Sequence, residues 1–77
     1  MSDVKRISPG TCERLSRWHG GKGSATFYLL DMGYADVSTI KNAIGEVRDR
    51  IDKDIYSLSM TDKEDLTELV SSLNKLI

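Results

Sequence analysis

The feature that most constrains this sequence is an apolar stripe that recurs at helical spacing between residues 37 and 58. Its members lie three or four residues apart, which places them on one face of a single α-helix. They are Val37, Ile40, Ala43, Ile44, Val47, Ile51, Ile55 and Leu58. The pattern predicts a helix of about 22 residues, roughly 33 Å long, that is packed on one side only. Asp36 or Ser38 is expected to cap its start.

The opposite side of this helix is polar. Two pairs of opposite charge stand four residues apart there, in the orientation that stabilises a helix. They are Glu46–Arg50 and Asp49–Lys53. Gly45 on the same side costs about 1 kcal/mol relative to alanine. It either lets another backbone approach closely, with Tyr56 as an aromatic anchor for a partner, or is simply tolerated.

A second helix is predicted directly behind the first. Thr61 and Glu64 have the spacing of a capping box, and acidic residues fill the first turn, where the helix dipole favours negative charge. Apolar residues then recur at helical spacing to the C-terminus: Leu66, Leu69, Val70, Leu73, Leu76 and Ile77. Only Ser59 and Met60 separate the two helices, which predicts an antiparallel hairpin over residues 37–77.

A shorter helix is predicted near the N-terminus. Ser8 is a good capping residue, and Pro9 suits the first helical position because its missing N–H costs nothing there. A helix from Pro9 to Trp18 would place Thr11, Leu15 and Trp18 on one side, with Cys12 beside them. The glycine-rich stretch of residues 19–23 then interrupts the chain.

Another short helix is predicted from Ala25 to Met32. Ser24 is expected to cap its start, and Gly33 to end it in the left-handed conformation. Apolar side chains point in nearly every direction around this helix, so it is expected to be buried. A β-strand is the alternative, since Thr-Phe-Tyr favours strands.

These elements predict an all-α fold: a small helical bundle of three to four helices built on the C-terminal antiparallel hairpin. Residues 1–77 are expected to form one helical domain, with 1–8 as a flexible or extended basic arm, 9–33 as short helices and 37–77 as the hairpin. A chain of 77 residues buries a marginal core and commonly gains stability from a disulfide, a metal or a partner subunit. A homodimer or higher oligomer is therefore expected.

The sequence offers no pattern typical of a catalytic or metal site. Cys12 is the only cysteine and His19 the only histidine, so neither a disulfide nor a zinc-ligand spacing is available. Two helical turns, roughly 10 Å, would separate them, against about 3 Å for a nucleophile and its base. We therefore expect a non-enzymatic protein with no cofactor. The single cysteine and the absence of a signal-like or membrane-spanning segment favour a cytoplasmic protein without membrane contact.

Charge is distributed unevenly along the chain. Residues 1–26 hold five basic and two acidic side chains, a net charge of +3, whereas residues 27–77 hold six basic and ten acidic, a net charge of −4. A basic arm of this kind could steer a charged partner. The favoured alternative is that the arm lies against the acidic part of its own chain or of a sister subunit.

The glycine-rich loop is a candidate anion site. Lys22, Gly23 and Ser24 precede a helix N-terminus, where exposed backbone amides can bind phosphate. Their spacing differs from that of a P-loop, because Gly23 separates Lys22 from Ser24. A plain loop between helices is the favoured interpretation.

One stretch combines basic and stacking side chains, as nucleic-acid binders do. The candidate partner-binding residues are Arg14, Arg17, Trp18, His19 and Lys22, with Tyr56 added from the long helix. The slightly acidic overall charge speaks against nucleic acid as the partner.

Residues 29–34, Leu-Leu-Asp-Met-Gly-Tyr, resemble the Met-Gly-Phe/Tyr loop of ubiquitin-associated domains, and Ala43-Ile44 lies near the position of their Ala-Leu pair. The resemblance covers residues 29–44 only. The pair arrives one residue late and the apolar stripe continues to Leu58, so the chain is not assigned to that family.

The leading functional hypothesis is a small cytosolic protein that binds another protein as an adaptor, inhibitor or regulator. Short, charge-mixed chains of this kind are common among phage and mobile-element accessory proteins. The alternative is a regulator that binds nucleic acid or a phosphate ligand through residues 14–24.

Overall fold

The computed structural model describes residues 4–53 and 58–77 and shows a small all-α bundle with one short β-ribbon. The elements in chain order are β1 (Val4–Arg6), α1 (Pro9–Trp18), α2 (Ala25–Met32), β2 (Tyr34–Asp36), α3 (Val37–Lys53) and α4 (Met60–Asn74). The predicted fold class is confirmed. None of the helices in these two described ranges is long and apolar enough to cross a membrane.

The two short helices begin and end as predicted. Ser8 Oγ accepts the Thr11 amide at the start of α1, at 3.3 Å, and Ser24 Oγ accepts the Phe27 amide at the start of α2, at 3.1 Å. Gly33 ends α2 with a φ of 78°, a conformation that strains other residues. The segment from Ala25 to Met32 is therefore a helix and not a strand.

α2 is not buried on all sides, contrary to expectation. Thr26 and Leu29 are fully enclosed, whereas Tyr28 and Met32 keep 44% and 42% of their surface exposed. A helix of only two turns lies against α3 and α1 on its inner side, and no described element covers the side that carries Tyr28 and Met32.

α3 carries the apolar stripe into the core but is shorter than predicted. Asp36 Oδ1 caps its start by accepting the Thr39 amide at 3.0 Å. The described part of the helix runs to Lys53, and Leu58 is half-buried outside any helix, so the predicted extension to Leu58 is wrong at that residue. Residues 54–57, which include Ile55 and Tyr56, lie outside the described part of the chain.

α4 starts two residues earlier than predicted, and its capping box is formed by different residues. Ser59 Oγ accepts the Asp62 amide at 3.1 Å, and Asp62 Oδ2 accepts the Ser59 amide at 3.2 Å. The extended backbone belongs to Ser59, so its side chain reaches the first turn, while Thr61 and Glu64 lie inside the helix. The predicted Thr61–Glu64 box is therefore wrong.

The helices and the ribbon share one core, with α3 packed most extensively against α2 and α4. The buried apolar residues are Ile7, Leu15, Leu29, Ala35, Ile40, Ala43, Ile44, Val47, Leu66, Leu69, Val70 and Leu73. Eight of them come from α3 and α4, which confirms that the two periodic stripes predicted from the sequence form the centre of the fold.

The β-ribbon is the element that the sequence did not predict. β1 pairs antiparallel with β2, with Val4 opposite Asp36 and Arg6 opposite Tyr34. Residues 4–6 of the predicted arm are thus extended, and they pair with the segment that links α2 to α3. Ala35 faces the core and is buried, so the other face of the ribbon points outward.

Candidate functional site

Three of the predicted partner-binding side chains converge on one carboxylate of α4. Arg14 Nε lies 3.2 Å from Asp65 Oδ1, and Arg17 Nη2 lies 3.0 Å from Asp65 Oδ2. Trp18 donates its indole N–H to Asp65 Oδ2 at 2.6 Å. Arg14 also reaches Glu68, at 3.1 Å. The basic segment therefore pairs with the acidic part of its own chain, as the favoured interpretation of the charge asymmetry predicted.

Asp65 is strongly stabilised as a carboxylate. The hydrogen bond from Trp18 is the largest cause that lowers the pKa of Asp65, and the hydrogen bonds and charge of Arg17, together with Arg14, lower it further. Partial burial opposes this shift, because burial favours the neutral form. The side chain keeps 22% of its surface exposed, so solvent screens these pairs only in part.

The groove between α1 and α4 is more acidic than basic. It is an open depression of about 480 Å³ around the Asp65 contacts. Its ionisable lining residues are Arg14, Arg17, Asp62, Glu64, Asp65 and Glu68. Because four carboxylates face two guanidinium groups, this groove suits a polyanion such as nucleic acid poorly.

His19 and Lys22, two further predicted residues, are not among the groups that bind Asp65. His19 packs edge-on against Phe27, with 5.6 Å between ring centroids, and its Nδ1 accepts the Gly21 amide at 3.3 Å. Lys22 and Gly23 are exposed in the loop, and Gly23 has a φ of 91°. Tyr56 lies outside the described residues.

The amides proposed for anion binding are occupied by an internal carboxylate. Glu46 of α3 accepts the Ala25 amide at 2.8 Å and the Thr26 amide at 3.0 Å, and the Thr26 hydroxyl donates to it at 3.0 Å. The Ser24 hydroxyl accepts the next amide of the helix, that of Phe27. The predicted site at Lys22, Gly23 and Ser24 thus lacks free helix amides.

Glu46 also departs from its predicted ion pair. It points to the start of α2, so the pair with Arg50 is not formed, while Asp49 and Lys53 do pair, at 3.2 Å. The interaction of Glu46 spans about twenty residues of sequence, which local helix spacing cannot reveal.

A cluster of exposed apolar side chains, missed by the sequence analysis, lies on α2 and the outer face of the ribbon. We call it the aromatic surface: Val4, Tyr28, Met32 and Tyr34. Their exposed fractions are 57%, 44%, 42% and 45%, respectively. This exposure could not be predicted from the sequence, because apolar residues point in nearly every direction around α2 and the ribbon itself was not predicted.

Helix spacing and strand register relate these side chains as two pairs. Tyr28 and Met32 are one helical turn apart on the same side of α2. Tyr34 follows two residues later, beyond the turn at Gly33. In the ribbon register, Val4 and Tyr34 share the outward face as diagonal neighbours, at a separation of about 7–8 Å. The aromatic surface therefore consists of one pair on α2 and one pair on the outer face of the ribbon, on elements that are joined at Gly33.

Residues 4–53 and 58–77 contain no group of three His, Cys, Asp or Glu side chains placed to hold a metal ion. In comparisons with known proteins, no family model matched the chain, and neither curated proteins nor solved structures gave a significant match.

Proposed function

We propose that this protein acts without catalysis, by binding another protein through the aromatic surface, as an adaptor, inhibitor or regulator. The observation that carries the proposal is the exposure of Tyr28, Met32 and Tyr34 on adjoining elements. Tyrosine and methionine are enriched in the contact areas of protein–protein interfaces. Full burial of a large apolar side chain contributes roughly 1.5–3 kcal/mol, and these residues have 42–45% of their surface left to bury, so each can contribute up to about half of that amount to a complex.

The position of the basic residues supports a protein partner over a nucleic acid. Arg14 and Arg17 already pair with Asp65 and Glu68, and carboxylates dominate their groove. A nucleic acid would have to displace these contacts and approach four negative charges. The regulator of nucleic acid or phosphate ligands remains the second candidate, through the exposed Lys22 and the exposed part of Arg17.

Capture of a partner from a lysate of the source organism tests the proposal. The tagged protein is compared with the double variant Tyr28→Ser/Met32→Ser and with Asn42→Ser, an exposed control on α3. Circular dichroism verifies that all three are folded. We expect mass spectrometry to identify a protein retained by the parent and the control and lost from the double variant. Equal retention by all three would refute a role for the aromatic surface.

A salt titration tests the second candidate. Binding of double-stranded DNA or of RNA that weakens steeply with rising salt, and that is lost in Lys22→Gln, would favour the nucleic-acid alternative. We expect no such binding at low salt.

We further propose that the protein is cytoplasmic and self-associates as a homodimer or larger oligomer, and that it serves as a phage or mobile-element accessory protein. The marginal core of a short chain supports self-association. Light scattering across a concentration series tests it, and a monomer at all concentrations would refute it.

A further inference from the structure

The register of the ribbon determines which backbone groups of β1 face away from β2. Ile7 donates its amide to the Gly33 carbonyl at 2.9 Å, so these directly opposed residues form a hydrogen-bonded pair. Such pairs alternate with non-bonded pairs along an antiparallel ladder. Lys5 is therefore the next residue bonded to β2, and Val4 and Arg6 lie between. The amides and carbonyls of Val4 and Arg6 point outward.

This outer edge of β1 is open in the described part of the chain. Val4 and Arg6 are both exposed. No other backbone group among residues 4–53 and 58–77 bonds to their outward amides and carbonyls. Unpaired edge groups of this kind are a template on which another strand can pair.

We propose that the edge of β1 binds an extended, acidic segment of a partner protein as a third strand of the ribbon. The proposal rests on the proposed function and names the part of the partner that is recognised. Charge complementarity selects the occupant, because Lys5 and Arg6 make two of the three residues of β1 basic. Opposite charges facing one another across strands stabilise the pair.

Charge opposes the self-pairing of β1 that is centred on Lys5. That antiparallel register would place Lys5 opposite Lys5 of a second copy, and like charges directly opposite one another destabilise a strand pair. An acidic strand pairs with the same edge without this repulsion.

The alternation of side chains along β1 defines the sequence that suits it. Val4 and Arg6 project to the outer face beside Tyr34, and Lys5 projects to the other face. An antiparallel partner strand would place an acidic residue opposite Arg6, a second opposite Lys5, and an apolar residue opposite Val4. The pattern read from the partner's N-terminal side is acidic, acidic, apolar.

The probe for this site is the blocked pentapeptide Thr-Glu-Glu-Val-Thr, titrated into the ¹⁵N-labelled full chain. Its control is the peptide Thr-Lys-Lys-Val-Thr. We expect the glutamate peptide to shift the amide resonances of Val4 and Arg6 most and to slow their hydrogen exchange, because those amides gain hydrogen bonds. The lysine peptide is expected to leave them unchanged.

A matched pair of variants isolates the backbone contact. Val4→Pro removes the outward amide but leaves the bonds of Lys5 to β2 intact, and proline is tolerated on edge strands. Val4→Thr retains that amide. Loss of one hydrogen bond should weaken binding about two- to tenfold in the proline variant relative to the threonine variant.

Several outcomes would overturn the proposal: shifts that avoid β1, equal binding of both peptides, or equal affinity of the Val4→Pro and Val4→Thr proteins. An oligonucleotide that shifts the same amides regardless of Val4→Pro would assign the edge to phosphate binding instead. A partner that depends on Tyr28 and Met32, combined with no peptide binding, would refute this inference and leave the proposed function standing. Peptide binding at β1 without a partner that depends on Tyr28 and Met32 would support this inference and refute the role proposed for the aromatic surface.

Discussion

The indole N–H of Trp18 donates to Oδ2 of Asp65 over 2.6 Å, and this bond joins the end of α1 to α4. The two residues are 47 positions apart in sequence. Arg14, one turn earlier in α1, and Arg17, the residue before Trp18, bind the same carboxylate, so one acidic side chain holds three donor residues of another helix. The contact fixes the basic N-terminal segment on the acidic C-terminal helix.

Replacing Asp65 by asparagine should destabilise the protein. The amide retains the shape but loses the charge that Trp18 and both arginines bind, and hydrogen bonds to a charged group contribute about 1.5–3 kcal/mol. We expect the free energy of unfolding to fall by about 1–3 kcal/mol in urea titrations followed by Trp18 fluorescence. Glu68→Gln is the control, because its side chain is 66% exposed, and its change should stay within about 0.5 kcal/mol.

Lowering the pH should remove the contribution of Asp65 to the free energy of unfolding. Its pKa lies below the ordinary value of an aspartate in the folded protein, so the folded state binds its proton less readily than the unfolded chain. The stabilisation is complete above the unfolded pKa and is lost as the pH falls through the lower, folded pKa. Urea midpoints measured from neutral pH to below that range should therefore drop more steeply for the parent than for Asp65→Asn. Asp36, whose pKa is also lowered, adds to the drop in both proteins. Equal pH dependence of the urea midpoint in the parent and in Asp65→Asn would contradict the assignment of this effect to Asp65.

The parts of the fold that local chemistry controls were predictable. Ser8, Ser24 and Gly33 set helix boundaries through contacts within a few residues, and each boundary was confirmed. The apolar stripes of α3 and α4 predicted the core for the same reason, since helical periodicity is a local property.

The parts that depend on distant partners were not predictable. Glu46 suits a pair with Arg50 by spacing, yet the start of α2 offers it three hydrogen bonds at once, from two amides and the Thr26 hydroxyl. The ribbon depends on three-residue strands brought together by the fold, and such short strands leave no periodic signal. The exposure of Tyr28 follows from which side of α2 the rest of the chain covers, a tertiary property.

Replacing Gly33 or Gly45 by alanine should change the stability of the protein in opposite directions. Gly33 has a φ of 78°, and a left-handed conformation costs other residues about 1–2 kcal/mol, so Gly33→Ala should be destabilised by about that amount. Gly45 lies inside α3, and beyond its own turns of helix no atom of residues 4–53 and 58–77 lies within 4 Å of an added methyl group, so Gly45→Ala should gain up to about 1 kcal/mol. Thermal unfolding followed by circular dichroism measures both. A loss of stability in Gly45→Ala would show that this position requires glycine.

Removing the carboxylate of Glu46 should both destabilise the protein and uncover the anion site that the sequence suggested. Glu46→Ala frees the amides of Ala25 and Thr26 at the start of α2, and it should lower the free energy of unfolding by about 1–3 kcal/mol. The freed amides form a helix N-terminus able to bind phosphate, with Lys22 in the adjoining loop. Phosphate added at constant ionic strength should therefore raise the unfolding temperature of Glu46→Ala and leave the parent unchanged, because a ligand stabilises only the state that binds it.

Asp49→Ala, which removes an exposed carboxylate of the same helix, is the matched control, and phosphate should not raise its unfolding temperature. An equal phosphate response in the parent would show that its loop binds anions with Glu46 in place, and no response in Glu46→Ala would show that the amides alone do not form a site.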